Sequence, residues 1–254
     1  MWIFSNYKYR LNVLTSSENF EGFLKETFKF FSSLEKNNNS MWFNKNRDSY
    51  QNLLVQPSRK YVVSIAEFFN HLNPAIRTEP KFNQTLMRIS KNMRFAKGEP
   101  YKNYFLIHFG RFKMDSEFYV YLDKTGISCG IFLNNTDGEN LYFSQNLSQN
   151  KSFLIETFKN YELNNKFRFA EIGKEITTIR VKFDIDKHFD KFNKTKYIIL
   201  EKDLPKERKV IYSPDFTTLT VKLFSRLYPI YCFAISPEPE KLLIEFEEKM
   251  GVAK

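Results

Sequence analysis

From Phe20 onward, apolar residues recur three and four positions apart, as Phe20, Phe23, Leu24, Phe28, Phe31 and Leu34. That spacing predicts one face of an α-helix. Thr15-Ser16-Ser17-Glu18 just ahead of it has the form of a capping box, and Asn37-Asn38-Asn39 ends it. Ser40 is placed to cap a second helix carrying Trp42, Phe43, Tyr50, Leu53 and Leu54 up to Pro57. A third follows through Val62, Ile65, Ala66, Phe69 and Leu72, stopped by Asn73-Pro74. Leu86–Phe95 admits either a short helix or an irregular course, and Gly98 and Pro100 make Lys97–Pro100 irregular.

Beyond Asn103 the period changes to two. Phe105, Ile107 and Phe109 alternate with Tyr104, Leu106 and His108, which is a strand. Glu117–Leu122 and Ile127–Leu133 are joined by Asp123-Lys124-Thr125-Gly126, the signature of a β-hairpin. Asn134–Asn150 reads as a polar loop and Ser152–Tyr161 as a helix. Ile179, Val181, Phe183 and Ile185 alternate with Arg180, Lys182, Asp184 and Asp186, predicting a further strand. Tyr197–Leu200 is another, and helices are expected at Phe216–Leu227 and Pro237–Met250. A helical layer followed by a mostly antiparallel sheet with more helices makes the expected class α+β, as a single domain over residues 1–254.

Composition sharpens this picture in three ways. With 28 Phe and 14 Tyr, the core must be built from rings. The eight glycines form neither G-x-G-x-x-G nor G-x-x-x-x-G-K, so the two common phosphate-cradling loops are excluded. Cys129 and Cys232 are too few for a disulfide framework or a four-thiolate zinc site, and both stand in apolar runs, as buried thiols do. The longest apolar run, Leu227–Ile235, is far short of the roughly 20 residues a membrane helix needs. With no secretory leader pattern at the N-terminus, a soluble cytoplasmic protein is expected, with no membrane partner.

Charge is uneven. The chain carries a net +10, yet the segment from Arg77 to Lys113 alone holds nine cations against Glu79 and Glu99, a net of +7. Localised excess of this kind points to an anionic partner.

Two blocks carry a resemblance. Asn38, Asn39, Trp42, Phe43, Tyr50 and Pro57 form the first; Arg88, Ile89, Arg94, Phe95, Lys97, Pro100, Tyr101 and Lys102 form the second. In these positions the chain resembles the bacterial and fungal family known as domain of unknown function 2461, most clearly over residues 20–133. The resemblance implies an α+β domain and lends no activity. Asn92 stands where the family usually has an aspartate, and Gly98-Glu99 replaces a slightly longer insert.

Three constellations deserve chemical readings. Arg88, Lys91, Arg94, Lys97 and Lys102, interleaved with Phe95, Tyr101 and Tyr104, suit phosphate binding by guanidinium forks with rings for base stacking. If Leu86–Phe95 is helical, Arg88 and Lys91 share a face. The plainer alternative is that these cations pair with carboxylates elsewhere. Asn37–Asn39 with Trp42 suits either a ligand contact or a helix terminus, and the terminus is preferred. Asp184, Asp186, His188 and Asp190 offer metal-binding groups for phosphoester hydrolysis, although ion pairing with Arg180 and Lys182 explains them as well. His71, His108 and His188 are dispersed, there is no G-x-S-x-G elbow, and His108 reads as a core histidine. The expectation is an anion-binding module for a nucleotide, nucleic acid or other phosphate-bearing ligand, with Arg88, Lys91, Arg94, Lys97, Tyr101 and Lys102 as its site. No cofactor and no metal are implied. A metal-dependent phosphoester hydrolase and a protein–protein interaction module are the alternatives, and oligomeric state is left open.

Overall fold

Alternation along the strands divides one sheet into an apolar and a polar face. In the computed structural model, which describes residues 20–92, 94, 98–171 and 181–251, the strands are β1 (Tyr104–Phe109), β2 (Glu117–Asp123), β3 (Gly126–Asn134), β4 (Arg168–Glu171), β5 (Val181–Lys182) and β6 (Tyr197–Pro205). They form an antiparallel sheet in the order β1-β2-β3-β6-β4-β5. Phe105, Ile107, Phe109, Phe118, Val120, Leu122, Ile131 and Leu200 are buried on one face. The hairpin closes as its sequence requires, with Asp123 opposite Gly126.

The helices packed with this sheet are α1 (Lys25–Lys36), α2 (Ser40–Lys45), α3 (Arg47–Tyr50), α4 (Gln56–Leu72), α5 (Phe143–Gln149), α6 (Lys151–Asn160), α7 (Ile185–Lys194), α8 (Asp215–Ile235) and α9 (Pro239–Met250). The architecture is α+β. Rings weld α4 and α8 to the sheet: Phe69 stacks on Phe109 with centroids 4.5 Å apart, and Phe118 lies 4.9 Å from Tyr231 and 5.3 Å from Phe224. Such pairs add about 0.5–1.5 kcal/mol each beyond burial.

Several expectations are corrected. Pro57 does not separate two helices: α3 runs through a π-turn, Gln51–Val55, directly into α4, and the Leu53 carbonyl, four residues before the proline that has no N–H to offer it, accepts from the Thr27 hydroxyl at 2.9 Å. Asn39, not Ser40, caps α2, its side chain accepting from the Trp42 N–H at 2.9 Å. The polar stretch 134–150 contains α5, anchored by buried Phe143 and Leu147 one helical turn apart. The strand expected through Ile185 stops at Lys182, and Ile185, Phe189 and Phe192 instead form the buried stripe of α7. Ile179, Arg180 and the Thr15 capping box lie outside the described residues. Helix α8 continues past Leu227 through Pro229 to Ile235, because residues 227–235 are buried throughout and their packing outweighs the lost backbone bond.

Gly130 has a specific task on the polar face. A Cβ there would stand 2.1 Å from the Leu200 carbonyl and 2.7 Å from the Glu201 Cα. Tyr119 and Glu201 flank it in register on β2 and β6, and over the bare backbone the Tyr119 hydroxyl reaches Glu201 Oε2 at 2.8 Å. Arg168 donates to Glu201 at 3.1 Å and also to Asp203, whose carboxylate accepts from Ser128 at 2.8 Å.

Burial pushes the thiols of Cys129 and Cys232 far up, so neither is ionised at neutral pH. A thiol reagent such as an aromatic disulfide is expected to label neither cysteine in the native protein and both after denaturation, read by absorbance.

Candidate functional site

The segment 88–102 leaves the sheet as a short arm. Its two sides pair as extended chain: the Lys91 N–H donates to the Pro100 carbonyl and the Lys102 N–H to the Ile89 carbonyl, both at 2.8 Å, with Ser90 bridged to Tyr101. The helical option for this segment is thereby replaced, and the cations come together through strand pairing. Ile89 is buried and anchors the arm, while Arg88 and Arg94 are exposed and Lys91 and Lys102 half-buried.

Three cations of the basic segment pair with carboxylates. Arg111 is locked to buried Asp115 through Nε–Oδ2 at 2.8 Å and a second nitrogen on Oδ1 at 3.0 Å. Arg77 lies 4.0 Å from Glu117, and Lys81 reaches Glu79 at 2.9 Å. Arg88, Lys91, Arg94 and Lys102, by contrast, have no carboxylate partner among the described residues. Arg88 Nε meets only the Asn83 amide oxygen, at 3.4 Å, with its guanidinium over the Phe82 ring. Lys102 Nζ donates to the Arg88 carbonyl at 2.5 Å, and Lys91 lies close enough to repel it. Burial first, and then Lys91, lower the Lys102 pKa from 10.5. Arg94 stands apart near the tip, its N–H held by the Asn92 side chain at 3.2 Å. Lys97 and Phe95 lie outside the described residues.

The asparagine cluster holds this arm in place. Asn38 Oδ1 accepts from the Tyr101 N–H at 3.1 Å, while its Nδ2 donates to the Tyr101 carbonyl at 3.0 Å and to Asn103 at 2.9 Å. The amide therefore mimics a neighbouring strand's peptide. The Tyr101 ring stacks on buried Phe43 with centroids 4.0 Å apart, so this face of the ring is already covered. Trp42 packs on Phe30 at 5.7 Å. The two sequence blocks that carried the resemblance are thus one physical unit, helix terminus against arm. The comparison with protein families agrees, matching residues 26–233 to the family described as Conserved hypothetical protein (DUF2461).

The chain belongs to the DUF2461 family. No curated protein and no solved structure matches it. For this DUF2461 protein, no helix among the described residues is long and apolar enough to cross a membrane.

The other candidate groups are dispersed by the fold. Asp184 caps α7 and its N–H donates to His188 Nδ1 at 3.0 Å, while Asp186 pairs with Lys159 at 3.2 Å. Among the described residues no three His, Cys, Asp or Glu side chains are grouped to hold a metal. His108 sits on β1 with Nδ1 2.5 Å from Glu117 Oε2, a bonded histidine at the half-buried edge of the polar face. Sequence reasoning missed the π-turn at Gln51–Val55, which no residue pattern announces. It also missed the Tyr119–Glu201–Arg168 network, whose members lie on three different strands.

Proposed function

We propose that this DUF2461 protein is an anion-binding module whose arm, through Arg88, Lys91, Arg94, Lys97, Tyr101 and Lys102, contacts the phosphates of a nucleic acid. The cations would make the contacts and Tyr101 would hold them in place through its stack on Phe43. One observation carries the reading: Arg77, Lys81 and Arg111 are matched to carboxylates, whereas, among the described residues, Arg88, Lys91, Arg94 and Lys102 are not. An arginine spared from ion pairing keeps its planar donor fork available for a phosphate. Among the described residues of the arm Arg88 and Arg94 are exposed, which suits a backbone of repeated phosphates more than an enclosed single group.

Filter binding of a short DNA duplex over a range of salt concentrations tests this. With about four phosphate contacts, log K against log salt is expected to slope near −3.6. Absence of binding at low ionic strength overturns the proposal. Arg94→Ala is expected to weaken binding to all sequences alike and leave the melting temperature unchanged, since Arg94 is exposed. The pH dependence follows from Lys102. Its ammonium loses the proton at lower pH than an ordinary lysine, so affinity falls as pH rises through that lowered value, and Lys102→Arg is expected to abolish this alkaline loss.

A further inference from the structure

We propose that His108, oriented by Glu117, is a general base that hydrolyses a neutral ester carrying an apolar or aryl group, at the edge of the sheet's polar face. The site is independent of the arm and shares no residue with it.

Glu117 begins β2 beside Gly110, where a Cβ would stand 2.6 Å from the Glu117 Cγ. The bare backbone therefore lets the side chain lean along β1 to His108, where Oε2 meets Nδ1 at 2.5 Å. On the other side, Arg77 donates to the Gly110 carbonyl through its N–H at 3.1 Å and its Nε at 3.0 Å, and its guanidinium lies 4.0 Å from Glu117 Oε1. The carboxylate is thus held between a cation and the imidazole. An ionised carboxylate only accepts hydrogen bonds, so in the neutral ring Nδ1 carries the proton and Nε2 the lone pair. His108 Nε2 makes no hydrogen bond among the described residues and is open to solvent. The backbone beneath it is fixed on both sides, by β2 and by the Thr85 carbonyl, which accepts from the His108 N–H at 2.9 Å.

The surroundings select the substrate. Tyr104 and Leu106 share the face of His108 by alternation along β1, and Tyr121, opposite Leu106, stacks on Tyr104 with centroids 4.9 Å apart. All three are half-buried and form a shelf for an apolar or aryl group that begins about 7 Å along the strand from His108. Tyr119 lies opposite His108 and leads to Glu201, and Arg168 is already engaged by Glu201 and Asp203. With Glu117, these carboxylates disfavour an anionic substrate. The step balances with water as the co-reactant. Nε2 takes a proton from a water molecule as the water oxygen bonds to the ester carbonyl carbon. The bond from that carbon to the alcohol oxygen then breaks, and the departing alkoxide takes the proton from the imidazolium, so ester and water become acid and alcohol.

Hydrolysis of 4-nitrophenyl butyrate by the full chain, followed by absorbance of the released nitrophenolate, tests the site. Wild type is expected to outpace free imidazole at equal concentration by about a hundredfold, and His108→Gln to fall to background. Glu117→Gln is expected to lower kcat about tenfold with KM unchanged, because an amide can offer its NH2 to Nδ1 and reverse the tautomer. A merely structural role for Glu117 would leave kcat of the folded protein unmoved. His71→Gln, at the exposed histidine of α4, is expected to keep the wild-type rate. A second probe needs no substrate: diethyl pyrocarbonate is expected to modify half-buried His108 before exposed His71 and before His188, the order being read by mass spectrometry. Wild type no faster than free imidazole, His108→Gln as fast as wild type, or His108 modified no sooner than His71 overturns the site. If His108→Gln does not fold, Glu117→Gln and the order of modification in wild type decide.

Discussion

Asp115→Ala is expected to destabilise the fold by about 3–5 kcal/mol, the cost of leaving a buried charge without its partner. At this chain length that corresponds to a fall of about 10 °C in melting temperature, measurable by calorimetry. Asp115 is fully buried and accepts from three Arg111 donors, the backbone N–H at 3.1 Å and the two guanidinium nitrogens. Arg111 also donates to the carbonyls of Ile235 at 3.2 Å and Asn140 at 2.8 Å. One ion pair therefore ties the β1–β2 connection to the end of α8 and to the loop before α5. Replacing both partners by apolar residues, Arg111→Met with Asp115→Leu, is expected to recover part of the loss, because neither charge then needs desolvating. A double variant as unstable as Asp115→Ala would show that the carbonyl contacts, not the charge, hold this junction.

Phe118→Ala is expected to cost about 3–5 kcal/mol in chemical denaturation, through lost burial and a cavity that cannot close. Phe118 is fully buried, and four rings surround it: Phe69, Phe224, Tyr228 and Tyr231, from two helices. Phe118→Leu is expected to cost much less, since it keeps most of the volume. A small loss for the alanine variant would mean that α4 and α8 slide to refill the gap, against the rigidity that ring interlocking implies.

The helix–strand division was legible wherever one period governed a long stretch, as with α1, α4 and the β2–β3 hairpin. It failed where two periods competed. Phe183 and Ile185 fit a strand by alternation, yet Ile185, Phe189 and Phe192 fit a helix, and three buried side chains outweigh two. α5 escaped notice because Phe143 and Leu147 are the only apolar residues within its seven positions. Part of the candidate site was legible too. The charge excess located the arm, but burial and pairing, not composition, separate Arg88 from Arg77. Asn38 reads as a helix terminus and also binds Tyr101, 63 residues away, a relation no local pattern encodes.

Gly130 bears on how β3 finds its place among its neighbours. Shifting a strand by one residue turns its apolar set outward and is penalised at once; shifting it by two keeps every inward residue inward. Burial alone therefore tolerates the two-residue error. In that error Ser128 or Phe132 would arrive between Tyr119 and Glu201, and its side chain would stand where the phenol must cross. The vacancy at position 130 acts as a keyhole, admitting one alignment of three strands out of several that hydrophobicity treats as equals.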